Sequence, residues 1–412
     1  MRINNNGTYG YCRWATDAKL DNDNHIARMS PQQYFQQEMS PVRQQLLEGQ
    51  APVSCGSCYR MEEHGKVSGR QRQLLKIGVR SEQFVKTMQS SAWLDEFRAD
   101  GTTDQMPQDW QIDLGNYCNS ACVFCLPGSS SRLANEFKKI GLIDQLPSAN
   151  WSDDPRLVKK LLDTLSASPH IRYLHFIGGE TLITPAFGQI LQELIDRGLN
   201  RSATIGFTTN LTVWDQKIVD LLRQFHCINL GVSVECLHPV NDYARWPSEI
   251  SKVQHILDQW LDLARSQKWY MQMRITPTVL TIGHLITIYQ YALINGISVE
   301  SCNFLEHPVY LRPSVLPMIY RRKIIDQIGQ WVSRHAERLG SETVINTRHP
   351  DFASAQVIQD AMSYVNYLTN QPDESYRLPE LARYLRLIDQ SRNICVMDYL
   401  PEYEELFRSA GY

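Results

Sequence analysis

From residue 110 onward the apolar positions change period at regular intervals. "WQIDLG" (110–115) is an apolar-rich run that predicts a strand. "RLVKKLLDTLSAS" (156–168) sets Leu157, Leu161, Leu162 and Leu165 on one side of a helix. "RYLHFIGG" (172–179) is an apolar strand ending in two glycines, and "FGQILQELIDRG" (187–198) a helix with a glycine stop. The alternation continues with strands at 203–210, 228–235, 270–280 and 298–306, and helices at 213–225, 248–267 and 284–296. Six strands alternating with helices predict a parallel sheet of βα units, as an open sheet or a barrel. Chemistry in such folds sits on the loops at the carboxyl ends of the strands. Four unusual loops fall there: "CNSACVFC" (118–125), "GGE" (178–180), "TTNLT" (208–212) and "SVE" (233–235).

The flanks read differently. Residues 1–105 scatter glycine, asparagine and cysteine among short segments, with helical stretches near 31–48 and 68–98. The prolines of "LRPSVLP" (311–317) mark a second boundary, beyond which the pattern is helical, starting with 318–339. The expected organisation is thus 1–105, 106–316 and 317–412.

Charge narrows the partners. With 41 basic and 44 acidic side chains in 412 residues, the balance gives no support to broad electrostatic binding of nucleic acid or an anionic membrane. No apolar run approaches a membrane span, and "MRINNNGTYGYC" lacks the apolar core of a secretion signal. A cytoplasmic protein without membrane contact is expected, so the ten cysteines are not read as a disulfide framework. Cys227, Cys236, Cys302 and Cys395 lie in apolar stretches and read as small buried hydrophobes.

Six cysteines remain, in two groups. Cys118, Cys122 and Cys125 share one short loop, a set suited to a soft metal or an iron–sulfur cluster. A structural zinc site normally closes with four ligands, and no fourth Cys or His lies nearby. Three ligands on a four-iron cube leave one iron free for a substrate or cofactor; zinc borrowing a distant ligand is the alternative. Cys12, Cys55 and Cys58 form the second group, and the Cys55-x-x-Cys58 spacing serves zinc and iron–sulfur sites alike.

The spacing of Cys118, Cys122 and Cys125, with Phe124 before the last cysteine and Gly178-Gly179-Glu180 one βα unit later, resembles the radical S-adenosylmethionine (radical SAM) superfamily. The resemblance implies a partial (β/α)6 TIM-type barrel and a [4Fe–4S] cluster on the three cysteines. The free iron would chelate S-adenosyl-L-methionine, with the residue at Phe124 beside the adenine. Gly178 and Gly179 would let backbone carbonyls approach the methionine ammonium, while Glu180 offsets charge or orients the turn. Thr209 and Asn210 would border the cofactor, Ser233 would contact the ribose, and Arg274 would pair with the methionine carboxylate or form a barrel-end ion pair. Glu235 stands where relatives have aspartate, and Arg245 in "YARWP" reads as a structural ion pair. The implied activity is reductive cleavage of S-adenosylmethionine to a 5′-deoxyadenosyl radical that takes hydrogen from a substrate, with an electron donor such as flavodoxin or ferredoxin. No residue is assigned as proton donor or radical relay.

Cys12 with Trp14, then Cys55 and Cys58, resemble the auxiliary-cluster (twitch) region of a radical SAM subgroup, here N-terminal to the barrel. The α/β fold would then carry an N-terminal twitch-like region and a helical C-terminal extension. A cysteine pair expected between them is replaced by "HIARMSP" (25–31). The group therefore reads as a second iron–sulfur cluster held by three ligands or completed by His25 or a distant cysteine, as a zinc site, or as a site that has lost its metal. By analogy the twitch-like region points to a peptide or protein substrate. Competing readings are an enzyme modifying RNA or a nucleotide precursor, and a non-catalytic, metal-stabilised binding protein.

Overall fold

The alternation in the sequence becomes an open, mostly parallel sheet in the structure, a computed structural model. It describes residues 1–12, 15, 22–63, 68–70, 97–148, 150–168, 170–300, 305–335 and 350–412. The strands are β1 (Arg2–Ile3), β2 (Tyr9–Gly10), β3 (Asp109–Asp113), β4 (Tyr173–Ile177), β5 (Thr204–Thr209), β6 (Cys227–Ser233), β7 (Tyr270–Arg274) and β8 (Ser298–Glu300). Their order in the sheet is β2-β1-β3-β4-β5-β6-β7-β8. The sheet does not close, in keeping with a partial (β/α)6 barrel. β3 to β8 are the six strands of the sequence pattern. β1 and β2 were not foreseen, because two-residue strands are too short to show alternation. They come from the N-terminal segment: β1 lies parallel to β3, with Arg2 beside Gln111 and Ile3 beside Ile112, and antiparallel to β2.

The chain falls into two compact units. The first holds residues 1–116, 148–207 and 217–228. Its core joins Ile112, Leu174, Phe176, Ile205 and Phe207 of the sheet to the helices Pro155–Ser166 and Pro185–Asp196. Phe187 packs between Phe176 and Phe207, with ring centroids 5.5 and 5.7 Å away. Asp154 caps the first of these helices, accepting from the Arg156 amide at 2.9 Å, and proline fills its first position. Its buried face is Val158, Leu161, Leu162 and Leu165; Leu157 is only half-buried, so the apolar stripe sits one residue from where the leucines alone suggested.

The second unit holds residues 117–147, 208–216 and 229–412. β6, β7 and β8 run parallel, with Val232 beside Met273 and Met273 beside Val299. The helices Ile250–Gln267 and Ile286–Asn295 follow β6 and β7 as the sequence pattern requires. Beyond residue 317 the described residues are helical, in Met318–His335, Pro350–Asn370, Leu378–Arg392 and Glu404–Ser409. Of the isolated cysteines, Cys236 is buried, while Cys227 and Cys395 are half-buried. Cys302, Trp14 and most of the helix expected at 68–98 lie outside the described residues.

Candidate functional site

The thiol loop belongs to the second unit and is fixed by its own polar groups. The helix Ser131–Lys139 follows it, capped by Ser130, whose hydroxyl accepts from the Leu133 amide at 3.1 Å and donates to the Ser120 carbonyl at 2.6 Å. The Ser120 amide donates to Cys118 Sγ at 3.4 Å, and the Cys125 amide to the Cys122 carbonyl at 3.0 Å. The Ala121 amide bonds the Trp246 carbonyl at 2.6 Å and the Val123 amide the Ala244 carbonyl at 2.9 Å. The loop thus runs along the segment "YARW" that the sequence also singled out.

Cys122 is buried, while Cys118 and Cys125 are half-buried. Burial pushes the Cys125 thiol up to about 12, and the charges of Cys122 and Cys118 add to the rise, so both of those sulfurs lie within electrostatic reach of Cys125. Burial also raises Cys122, against the pull of Arg245. The Arg245 guanidinium donates toward Cys122 Sγ at 3.9 Å and lies over the Phe124 ring at 5.4 Å. Its other side meets Glu235, fully buried, with Nε 3.0 Å from Oε1. Glu235 Oε2 accepts from the Thr276 amide at 2.6 Å. Burial opposes the charge of Arg245, but Glu235 and Cys122 outweigh it and push the guanidinium pKa up. The ion pair expected of Arg245 is present. Its contact with Cys122 was not foreseen.

"TTNLT" packs beside the loop in the same unit. Asn210 Nδ2 donates to Asn119 Oδ1 at 2.9 Å and to Ser120 Oγ at 3.0 Å. Its Oδ1 accepts from the Thr212 amide at 3.1 Å. Thr209 Oγ1 accepts from the Leu211 amide at 3.2 Å, and Leu211 sits in the left-handed region at φ 62°. A buried leucine held there is strained, which is common where a loop must present specific groups. Asn210 therefore acts on the loop itself, a role the sequence pattern did not reveal.

Ser233 and Arg274 are register partners at the ends of β6 and β7, both half-buried. The Arg274 side chain crosses β6 above Gly231 and donates to Thr208 Oγ1 at 3.0 Å. A Cβ at Gly231 would lie 2.6 Å from Arg274 Nε. Glycine inside a strand marks such a close approach, and that was the available signal for this crossing.

"GGE" lies in the first unit, at the end of β4. Gly178 has φ 135°, and the Gly179 amide donates to the Gly115 carbonyl at 2.9 Å. Glu180 is buried and caps the following turn, accepting from the Leu182 amide at 3.1 Å. Of the two roles considered for Glu180, orienting the turn is one it performs.

Cys12, Cys55 and Cys58 also belong to the first unit, Cys55 and Cys58 at the start of the helix Gly56–Glu63. Burial raises the Cys55 thiol, with a contribution from Cys12 and a smaller one from Cys58; Ser54 and Arg70 oppose it. The sequence separation of this group is therefore bridged by the fold. Arg70 is in turn ion-paired with Glu62. His25 is not placed as a further ligand. Its Nδ1 accepts from the Ala27 amide at 2.9 Å, so Nε2 carries the proton and donates to the Asn6 carbonyl at 2.7 Å.

Residues 112–265 match the family model described as Radical SAM superfamily. The chain carries a radical SAM domain. That domain implies a [4Fe–4S] cluster and S-adenosylmethionine. Comparison with curated proteins finds no match. Among solved structures, SuiB of Streptococcus suis bound to S-adenosylmethionine is similar at 12% identity over 62% of this chain and 50% of that one, with TM-score 0.36. SuiB bound to the precursor peptide SuiA gives 13% over 69% and 60%, with TM-score 0.38. Native anSMEcpe with bound AdoMet gives 16% over 56% and 62%, with TM-score 0.41. The chain thus spans 50% to 62% of the length of these structures.

The radical SAM domain's donor set suits a cluster. Three thiols share one loop, and an arginine beside Cys122 offsets the negative charge that thiolates bring. Among the described residues no group of three or more His, Cys, Asp or Glu forms a site for a single metal ion. A multi-iron cluster asks for sulfurs spread around it rather than converging on one point. No described helix is long and apolar enough to cross a membrane.

Proposed function

We propose that this chain is a radical SAM enzyme in which Cys118, Cys122 and Cys125 hold a [4Fe–4S] cluster with one iron open to S-adenosyl-L-methionine. The observation that carries the reading is the gathering of three thiols beside Arg245, on one loop inside the matched span 112–265. When bound and reduced, the cluster supplies the electron that cleaves S-adenosylmethionine to a 5′-deoxyadenosyl radical.

The chain's own residues bind, orient and exclude water. Arg245 offsets charge at Cys122 and covers Phe124, the residue proposed to stand by the adenine. Asn210 ties Asn119 and Ser120 of the loop, Thr209 holds the strained turn at Leu211, and Ser233 and Arg274 offer a hydroxyl and a guanidinium to the ribose and the methionine carboxylate. Gly178, Gly179 and Glu180 take the methionine ammonium by resemblance to the family. Cys12, Cys55 and Cys58 hold a second iron–sulfur cluster in a twitch-like region spanning 1–105, ahead of a barrel at 106–316 and a helical extension at 317–412. The electrostatic influence of Cys12 and Cys58 on Cys55 supports that assignment. The substrate is a peptide or protein, the donor a flavodoxin or ferredoxin, and the compartment the cytoplasm.

Iron and sulfide counted after anaerobic reconstitution test the reading: about four irons per chain mean one cluster and about eight mean two. Reduced protein with S-adenosylmethionine should release 5′-deoxyadenosine, and Cys122→Ala should not. A wild-type protein that takes up no cluster, or releases no product, refutes it.

A further inference from the structure

The amides of Ala121 and Val123 in the thiol loop face "YARW"; the carbonyls of the same two residues face the C-terminal helix Leu378–Arg392, in the same unit. The buried Tyr384 hydroxyl donates to the Val123 carbonyl at 2.7 Å. Arg392 Nη2 donates to the Ala121 carbonyl at 2.7 Å. The same guanidinium forks onto Glu136 of the helix that leaves the loop, at 2.9 and 2.7 Å, and lies over the Trp246 ring at 4.9 Å. Residues 121 and 123 are therefore bonded at both amide and carbonyl, and Cys122 lies between them. The helix is itself tied down one turn earlier than Arg392. There Asp389 accepts from the Tyr243 and Tyr412 hydroxyls at 2.7 and 2.5 Å and from the Val396 amide at 2.7 Å.

Apolar side chains would have sufficed to pack this helix. Instead a fully buried guanidinium and a buried hydroxyl are aimed at carbonyls two residues apart, on either side of one cysteine. Losing either donor leaves a buried carbonyl unsatisfied or lets its peptide plane turn, and a turned plane moves Cys122. We propose that the helix Leu378–Arg392 is a clamp on the thiol loop, with Tyr384 and Arg392 as positioning residues that fix where Cys122 presents its sulfur to the cluster. This rests on the radical SAM reading above.

The test uses the full chain, reconstituted anaerobically, in four variants: Tyr384→Phe, Tyr412→Phe, Arg392→Lys and Arg392→Gln. Tyr384→Phe keeps the ring and removes only the hydroxyl at the loop. Tyr412→Phe removes a hydroxyl that anchors the same helix without touching the loop. Arg392→Lys keeps the charge and loses the fork. The readouts are release of iron to a chelator, the paramagnetic resonance spectrum of the reduced cluster, thermal midpoint, and hydrogen exchange of the segment 117–126 in the cluster-free protein. One lost buried hydrogen bond should speed iron release in Tyr384→Phe on the order of fivefold. That variant should also alter the spectrum and raise exchange at 117–126. Tyr412→Phe should lower the midpoint and leave iron release and the spectrum as in wild type. Arg392→Lys should fall between wild type and Arg392→Gln.

If Tyr384→Phe binds and releases iron as wild type does, or if the two tyrosine variants change it equally, the clamp is refuted while the radical SAM reading stands. If wild type takes up no cluster, the radical SAM reading fails and the proposal falls with it. Tyr384→Phe loses a single oxygen, so the test survives even if the Arg392 variants do not fold.

Discussion

Arg245 and Cys122 meet at 3.9 Å, guanidinium to sulfur, in a buried corner where the carboxylate of Glu235 pairs with the arginine. Removing one member of a buried ion pair leaves the other stranded, at a cost of about 3–5 kcal/mol. Glu235→Gln and Arg245→Met should each lower the stability of the cluster-free protein by that amount in denaturant titrations. The double variant should recover part of the loss. Additive losses in the double variant would show that the two groups do not act as a pair.

Asp113 should make stability fall as pH rises. Burial lifts its carboxyl to about 6 from 3.8, against the pull of the Gly115 amide and of Arg2. The folded chain thus keeps a proton that the unfolded chain has already lost in that interval, so stability drops between pH 3.8 and about 6. Two pH units at about 1.4 kcal/mol each give a drop of about 3 kcal/mol. Asp113→Asn should remove that slope and be more stable at neutral pH. The same slope in wild type and variant, read from urea midpoints between pH 4 and 7, would contradict the assignment.

Gly178 should tolerate no side chain. Its φ of 135° is outside the range of L-residues, and a Cβ would sit 2.7 Å from the Gly115 carbonyl oxygen, which is backbone and cannot swing away. Gly178→Ala should cost at least about 1–3 kcal/mol by thermal or chemical denaturation. A neutral substitution would mean that the turn after β4 can open to admit a side chain.

Gly231→Ala should separate stability from binding. Here the nearest atoms belong to the flexible end of Arg274, which can move aside. The loss of stability should stay below about 1 kcal/mol. If Arg274 holds the methionine carboxylate, displacing it should weaken S-adenosylmethionine binding about tenfold, measured by calorimetry on the reconstituted protein. Unchanged affinity would remove Arg274 from the cofactor site.

Much of this was written in the order of the residues. Apolar runs separated by helical stripes gave β3 to β8 and their helices, because burial on both faces of a parallel strand leaves an unbroken apolar run. The three-cysteine loop was legible as a candidate site because its thiols are local in sequence. What stayed hidden depends on contacts distant in sequence. Arg392 lies 271 residues from the carbonyl it bonds, and Tyr384 lies 261 from its own. β1 is two residues long, and nothing in "RI" announces that it will lie against Gln111 and Ile112. The approach of Cys12 to Cys55 depends on how the N-terminal segment folds back, which spacing alone does not encode.

The bonding of the thiol loop has a consequence for its length. Ser120, Ala121 and Val123 are each committed to fixed partners outside the loop. Inserting or deleting a single residue between Cys118 and Cys125 would put every downstream donor and acceptor out of step, as a register slip does in a sheet. The intervals between the sulfurs are therefore dictated twice, once by the geometry of whatever they grip and once by the walls around them.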